Sequence, residues 1–559
     1  KEIPILYIPY LRTAVGKDKF SGFLPPSLKQ GRDGVDISMP YFFNLSSNYD
    51  LTISPRYIEE RGSGIAAEFR YLTEASNGNI STSNIFKDRK FYDETNYEGN
   101  RWMAQWFHRS QISSNLLIDI YTEGVSDNFF FENLNEDILG TKQKNYLTKR
   151  VNAKWIGESL KLEGEIREYK DLNPFTSEQY ETRPNFSLIF QDNYKGINFN
   201  LLSSYTKFAF DGSFNPFNKQ KEITRKSIEP SLSFNKYFTS SSFSIAIGVE
   251  DLNYDINSID FDRSSNWLET EYKLFFENRS EQSYKSLNPT IKYILLNEES
   301  LPFESIDSRL MGLNYNNLFL RNWYSGPDRF LNQDRVILGI EHQNLSLESD
   351  TNLSFSIGKA FFLKDEYDIG EMNKRSSPLV MEFKQQIKNN LFTNGTLETD
   401  SDFHRVHSGS FGLTYERDEG NKIELRSIYK RLNPSINNLP WFDKDLPISQ
   451  LELLTQWSIS DQFTIFGKLL KDNEMHKSKD LSFGFQYSNC CMKAGLMKRK
   501  WKDQDYYNWY ASPTEAFQAL ESGINPELQR DNIYFFFELR DIGRIGKEIS
   551  EVISSTLLE

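Results

Sequence analysis

Hydrophobic and polar residues alternate along much of this chain. Tyr49, Leu51 and Ile53 are interleaved with Asp50, Thr52 and Ser54, and Phe243, Ile245, Ile247 and Val249 with Ser244, Ala246 and Gly248. The same period of two runs through Leu353–Gly358, Phe411–Glu416 and Leu481–Ser488. Each segment has one apolar face and one small or polar face, as a half-buried strand requires. No apolar run approaches the roughly 18 residues of a membrane helix. A soluble β-sandwich shows similar alternation, but so many strands without compact core signals favour a membrane barrel, apolar toward lipid and polar toward a lumen. At roughly 9–11 residues per membrane strand, or about 20 with its turn, the chain accommodates about 26 strands; 22 or 24 also fit this arithmetic. The expected fold is all-β, a large antiparallel transmembrane β-barrel with a polar lumen.

Several places interrupt the alternation. Pro25, Pro26, Pro40 and Pro55 fall in or beside the first strand-like runs. Proline donates nothing to a ladder, so the first strands are expected to be weakly zipped, the alternative being a turn at each proline. Residues 73–100 are polar and without periodicity and read as a connection; 73–100, 251–266, 364–377 and 429–448 are the candidate extracellular loops. The last strong strand is Ile533–Leu539, with Phe535 and Phe537 on the face of Ile533 and Leu539. Beyond it, Ile545, Ile549, Val552, Ile553 and Leu557 recur at helical spacing, predicting a short amphipathic helix.

Composition narrows the chemistry. Aromatics make up 15% of the 559 residues, with 44 Phe and 29 Tyr, as aromatic girdles would require. A net charge of −13 argues against a nucleic-acid partner. Five His and two Cys leave little scope for metal or cofactor chemistry, and none is expected. His404 and His407 form an HxxH pair, but in an Asn/Thr/Asp-rich segment that reads as a solvated loop or strand start. Cys490 and Cys491 are adjacent, and on a strand their side chains would point to opposite faces, a poor arrangement for a mutual bond. No motif asks for an enzyme.

Longer segments carry a family resemblance. SGFLPPSLKQ, NYDLTISPRY and EFRYL near the start, RWMAQWFHRS from Arg101, VSDNFFFENL from Val125 and IEPSLSF from Ile228 resemble, in order, the LptD family of outer-membrane lipopolysaccharide-assembly proteins. SGPDRFLNQDRVILGI from Ser325, FQYSNCCMKAG from Phe485 and FFFELRDIG near the end continue the likeness, so it covers essentially the whole chain. The resemblance implies a Gram-negative outer-membrane barrel over 20–540. Residues 1–19 would then be the end of a periplasmic domain otherwise missing from the chain, and 541–559 a periplasmic tail. It also implies that Pro25 or Pro26, with Pro40, flank a lateral gate between the first strand and the closing strand of Ile533, Phe535, Phe537 and Leu539. Cys490 and Cys491 would pair with cysteines of that missing domain, two unpaired thiols being the other possibility. Asp328-Arg329-Phe330 and Arg335 read as a salt-bridged structural bend.

The implied function is insertion of lipopolysaccharide into the outer leaflet, sugar through the lumen and lipid through the opened seam. The implied partners are an LptE-like lipoprotein plugging the lumen, a periplasmic transport bridge driven from an inner-membrane ATPase, lipopolysaccharide itself and outer-membrane lipid. The alternatives are a passive porin or a ligand-gated importer, and, third, a barrel enzyme.

Overall fold

The computed structural model describes residues 21–24, 26–31, 33–134, 146–172, 180–210, 220–297, 306–329, 333–346, 351–363, 368–369, 372–373, 375–400, 404–418, 421–431, 448–473, 477–490, 492–502, 529–539 and 543–545. Among them, no helix is long and apolar enough to cross a membrane. They form one antiparallel sheet of 30 strand segments in which chain neighbours pair. Three breaks divide single strands: Gly22–Phe23 continues as Ser27–Gly31, Gly34–Ser38 as Tyr41–Asn44, and Ile259–Leu274 as Phe276–Arg279. The segment Gly543–Ile545 pairs only with the end of the closing strand, Gln529–Leu539. The remaining 26 strands make a ring, because Lys29 and Gln30 of the first strand pair with Tyr534 and Ile533 of the last. This is the expected transmembrane β-barrel.

Exposure follows the alternation. In Glu222–Tyr237, Ile228, Leu232 and Phe234 are exposed on the outer face, while Arg225 on the opposite face is buried. In Ser241–Ile256, Ile247 faces out and Leu252 and Tyr254 lie buried within.

Connection lengths distinguish the two ends. At one end the strands are joined by short turns such as 45–48, 73–75, 157–159, 195–196 and 489–491; the other carries 86–100, 126–145, 298–332, 363–379 and 503–528. In outer-membrane barrels the short turns face the periplasm. The first strand starts, and the closing strand ends, at this periplasmic end.

Two of the expected connections change. Within 73–100, Ser76–Ile85 is a strand, followed by the helix Arg89–Thr95. Its outward face is largely polar or small, with Ser76, Gly78, Thr82 and Asn84 beside Ile80, which pairs with Trp106 across the ladder, so no apolar alternation marks it. The polar stretch 251–266 is also strand: Ser241–Ile256 and Ile259–Leu274 pair to the tip, where Asn257 and Ser258 turn the chain at φ 53° and 63°. Two successive left-handed residues suit a two-residue hairpin. The strands outgrow the apolar band, so their outward residues become polar there. Within 364–377 the described residues include the small hairpin Asp368–Ile369 and Met372–Asn373; of 429–448, the ends belong to the strands Asn421–Lys430 and Ile448–Ser458, and 432–447 lie outside the described residues. In the tail, Gly543–Ile545 is strand, so no helix begins at Ile545; 546–559 lie outside the described residues.

Candidate functional site: the closure and the loop within the lumen

The closing strand is bonded very unequally on its two edges. Met492–Lys502 pairs with it over eleven residue positions, from Met492↔Leu539 to Lys502↔Gln529. Among the described residues the first strand pairs at two, Lys29↔Tyr534 and Gln30↔Ile533. In an antiparallel ladder, two neighbouring positions supply one doubly bonded pair. At a net 0.5–1.5 kcal/mol per bond, parting them costs about 1–3 kcal/mol of ladder. Ile533 and Phe535 face outward and are exposed; Phe537 and Leu539 lie in the strand, their side chains outside the described set.

The prolines loosen the first strands against one another. Gly22↔Phe42 and Phe23↔Tyr41 keep one register with the second strand, whereas Ser27↔Ser38 onward are shifted by one residue. Pro26 sits in that slip, and Pro25 lies outside the described residues. Pro40 interrupts the second strand. Its carbonyl accepts from the Leu24 N–H at 2.9 Å, so the donor it lacks is missing from the ladder between first and second strands. Pro55 does the same one strand further on, its carbonyl accepting from the Met39 N–H at 3.0 Å. Pro40 and Pro55 therefore loosen the strands next to the closure rather than the closure itself.

The closing strand's remaining edge is occupied by the tail. Leu539↔Gly543, Glu538↔Arg544 and Phe537↔Ile545 pair there, because Met492–Lys502 already fills the opposite edge.

Away from the closure the wall is braced by buried charge on its inner face. Lys468 Nζ stands 3.3 Å from Glu452 and 3.5 Å from Asp480, and Arg499 grips Asp480 at 2.9 and 3.1 Å. These four residues sit on four consecutive strands ending at the neighbour of the closing strand. At the extracellular end of the N-terminal wall, Arg101 donates to Asp88 at 2.9 Å and to both oxygens of Asp127 at 3.0 and 2.8 Å, with its guanidinium 3.9 Å over the Phe91 ring. Asp88 also caps the helix Arg89–Thr95. Arg61 joins this group to Asp33 in the first hairpin turn at 2.7 Å, and Lys90 reaches Asp33 at 2.7 Å. Burial works to raise the pKa of Asp33, but Arg61 and Lys90 outweigh it and leave the carboxyl below its ordinary value.

The described part of the connection after Asn297, residues 306–329, folds back into the barrel. Its helix Tyr315–Leu318 rests on the inner wall at Gly339 and Gly358, where a Cβ would come within 2.5 Å of the Phe319 ring and 2.8 Å of Leu318 respectively. Trp323 and Leu318 pack into a core with Ile294, Ile337, Ala360 and Val380. Asp328 is fully buried: its carboxylate accepts from Arg225 at 2.6 Å, the Tyr254 hydroxyl at 2.9 Å and the N–H groups of Ile306 and Asp307 at 3.0 and 2.8 Å. Burial pushes its pKa up, but Arg225 and these donors override that and hold it at about 2. The structural bend read at Asp328 is therefore present, but its ion-pair partner is Arg225. Arg335 instead stacks 4.5 Å over Trp323 and donates to the carbonyls of Leu320 and Arg321. Arg329 is exposed, and Phe330 lies outside the described residues.

Cys490 corrects one premise. It is exposed in the turn 489–491, between strands ending at Ser488 and beginning at Met492, so the opposite-face argument for a strand does not apply to it. Asn489 clasps this turn, its side-chain oxygen accepting from the Met492 N–H at 2.8 Å. The turn is at the periplasmic end; Cys491 lies outside the described residues. His404 lies in a bend, its N–H donating to Asp400 at 2.7 Å, and His407 is the second residue of the strand Val406–Asp418.

A barrel of this size, with its short turns at one end and its outward face apolar, is an outer-membrane β-barrel. A family model described as LPS transport system D, LptD, matches residues 99–463, and the chain belongs to the LptD family. It is 24% identical to the LPS-assembly protein LptD of Pseudomonas syringae pv. syringae, over 92% of this chain and 63% of that protein. With the Shewanella frigidimarina LPS-assembly protein LptD it shares 25% identity over 97% of this chain and 71% of the relative. The chain thus spans somewhat under two-thirds of the length of the Pseudomonas relative. Among solved structures, the siderophore receptor PirA of Pseudomonas aeruginosa aligns with a TM-score of 0.30 and 8% identity over 92% of this chain and 80% of the receptor.

Proposed function

We propose that this barrel inserts lipopolysaccharide into the outer leaflet of the outer membrane, passing the sugar through the lumen and the lipid sideways between the first and closing strands. The observation that carries the reading is the closure, with two residue positions on one edge of Gln529–Leu539 against eleven on the other. A sugar chain needs a polar conduit, whereas acyl chains need a wall that parts, because backbone groups exposed to lipid are costly. A closure worth only a few kcal/mol is suited to repeated opening. The chain supplies no nucleotide motif, so the work comes from partners: a periplasmic bridge delivers the substrate, and a lipoprotein of the LptE kind fills the lumen. Cys490 and Cys491, at the end facing the bridge, tether the barrel to a preceding periplasmic domain.

The test is a reversible lock. Gln30→Cys combined with Ile533→Cys, in the full-length protein, should stop the appearance of new lipopolysaccharide at the cell surface when oxidised and restore it on reduction. Undiminished delivery with the lock formed overturns the proposal.

A further inference from the structure

Beside the closure, the outward face changes from apolar to cationic part of the way up the wall. On Met492–Lys502, the strand next to the closing strand, Leu496, Lys498 and Lys500 are exposed on the outer face, while Met497 and Arg499 between them are buried on the inner face. This strand rises from the periplasmic turn 489–491. At about 3.3 Å per residue and a tilt of roughly 40°, Lys498 and Lys500 stand ~15 and ~20 Å above Met492, in the outer-leaflet half of the ~25 Å apolar band.

The neighbouring strand Lys477–Ser488 stays apolar through the same rows of the ladder. Phe485 is paired with Leu496, Phe483 with Lys498 and Leu481 with Lys500, and all three are exposed. On the other side Lys498 is opposite Ile533, and Ile533 is opposite Gln30 of the first strand. Lys498 therefore lies in the ladder row of the closure itself, one strand away from it.

A cation on a lipid-facing row is costly unless it reaches an anion or water. Among the described residues these two lysines make one ion pair. Lys498 Nζ stands 3.4 Å from Asp531, with the side chains 63% and 46% exposed, a pair too wet to tie up either group. Lys500 is opposite Asp531 across the ladder and makes no ion pair among the described residues. Arg499 does not join them, because Asp480 holds it on the inner face. Two ammonium groups thus share one exposed carboxylate above an apolar surface of Leu496, Phe483 and Phe485.

We infer that Lys498 and Lys500 form an outer-leaflet docking site for the phosphate groups of a phosphorylated glycolipid, whose acyl chains run down toward the bilayer midplane along Leu496, Phe483 and Phe485. That this lipid is lipopolysaccharide rests on the proposed insertion, whereas the phosphate chemistry of the site does not. A lipid emerging between the first and closing strands finds here its first anion contact outside the wall.

Native mass spectrometry of the full-length complex, titrated in detergent with bisphosphorylated lipid A (the lipid anchor of lipopolysaccharide), its monophosphorylated form and phosphatidylglycerol, tests the site. The bisphosphorylated lipid should be retained most strongly. Lys498→Gln combined with Lys500→Gln should lower its retention about tenfold, the effect of one charge-assisted contact, and bring it level with the monophosphorylated form. Lys149→Gln removes an exposed lysine on Tyr146–Ile156, away from the closure, and should change nothing. The heat-modified gel mobility of each variant reports folding independently. Because both lysines face outward, added lipid should still bind to protein locked through Gln30→Cys and Ile533→Cys, so this measurement stands or falls separately from delivery through the closure. Unchanged retention in the double variant, an equal loss in Lys149→Gln, phosphatidylglycerol held as tightly as the bisphosphorylated lipid, or abolished binding in the locked protein each overturns the assignment.

Discussion

The carboxylate of Asp328 and the guanidinium of Arg225 meet at 2.6 Å inside the barrel, their side chains 0% and 7% exposed. They join the long connection 298–332 to the inner wall at a point more than a hundred residues earlier in the chain. Removing one partner of a buried pair strands the other charge, at a typical cost of 3–5 kcal/mol. Asp328→Ala should therefore detach this connection without unfolding the barrel. Hydrogen exchange across 306–329 should accelerate by two orders of magnitude or more, which at about 1.4 kcal/mol per tenfold is a cautious reading of that cost. Unchanged protection would show that the apolar contacts of Trp323 and Leu318 hold the segment alone.

The same attachment has a defined acid limit. The pKa of Asp328 is about 2 in the folded protein and below its ordinary value, so its stabilisation is fully present above about pH 4 and is lost as the pH falls toward 2. Pepsin cleavage within 306–329 should rise steeply over that interval and stay low above it. In Asp328→Asn the pH dependence should flatten, with cleavage already high at pH 4.

Pro40→Ala should tighten the first two strands. The Leu24 N–H already donates to the Pro40 carbonyl, and a residue with its own N–H can return the bond, as an ordinary hydrogen-bonded antiparallel pair does. The expected gain is about 0.5–1.5 kcal/mol, read as slower exchange at Leu24 and a raised unfolding temperature. Surface delivery of lipopolysaccharide should slow in the same variant.

Lys468→Met should weaken the opposite side. It leaves Glu452 and Asp480 facing one another without their shared cation in a site only about 1% exposed at Lys468 and Glu452. A loss of about 3–5 kcal/mol is expected, seen as unfolding of the barrel at lower temperature in a gel-mobility assay. The double variant Lys468→Met, Glu452→Leu should recover much of it.

In the full-length protein, at least one of Cys490 and Cys491 should be bonded to a cysteine upstream of this chain. Mass spectrometry of non-reduced peptides checks this, with both thiols free, or bonded to each other, as the contrary result. The exposed turn at 489–491 is reachable from the periplasmic side, so replacing both with serine should leave folding intact and reduce delivery.

The barrel is legible because lipid imposes a simple rule on one face: wherever Phe, Ile and Leu alternate with small or polar residues, as at Phe243–Val249, the pattern predicts a strand, although chain length alone fits 22 or 24 strands as well as 26. The rule fails where outward residues are small or polar. Ser76–Ile85 carries Asn and Ser on both faces and so reads as a connection, and the extracellular extensions of Ser241–Ile256 and Ile259–Leu274 read as a loop. The prolines marked the right neighbourhood, but sequence does not say toward which neighbour a missing N–H would have pointed; that depends on register. The inner network was hidden for a different reason. Glu452, Lys468, Asp480 and Arg499 are spaced irregularly along the chain and meet only because four strands lie side by side. Asp328 and Arg225 are likewise brought together by a connection that turns inward, which no local pattern announces.

The small strand Gly543–Ile545 bears on what a passing acyl chain would touch. A β-edge facing hydrocarbon normally offers bare amide and carbonyl groups, and each carries a heavy desolvation cost. Along Phe537–Leu539 that edge is already covered by the chain's own end. Whatever the first strand does, this stretch of the frame stays chemically finished, like a hemmed edge on cloth. The pairs that would part on withdrawal of the first strand are those at Ile533 and Tyr534, and a lipid sliding past would find the periplasmic end of the strand still paired.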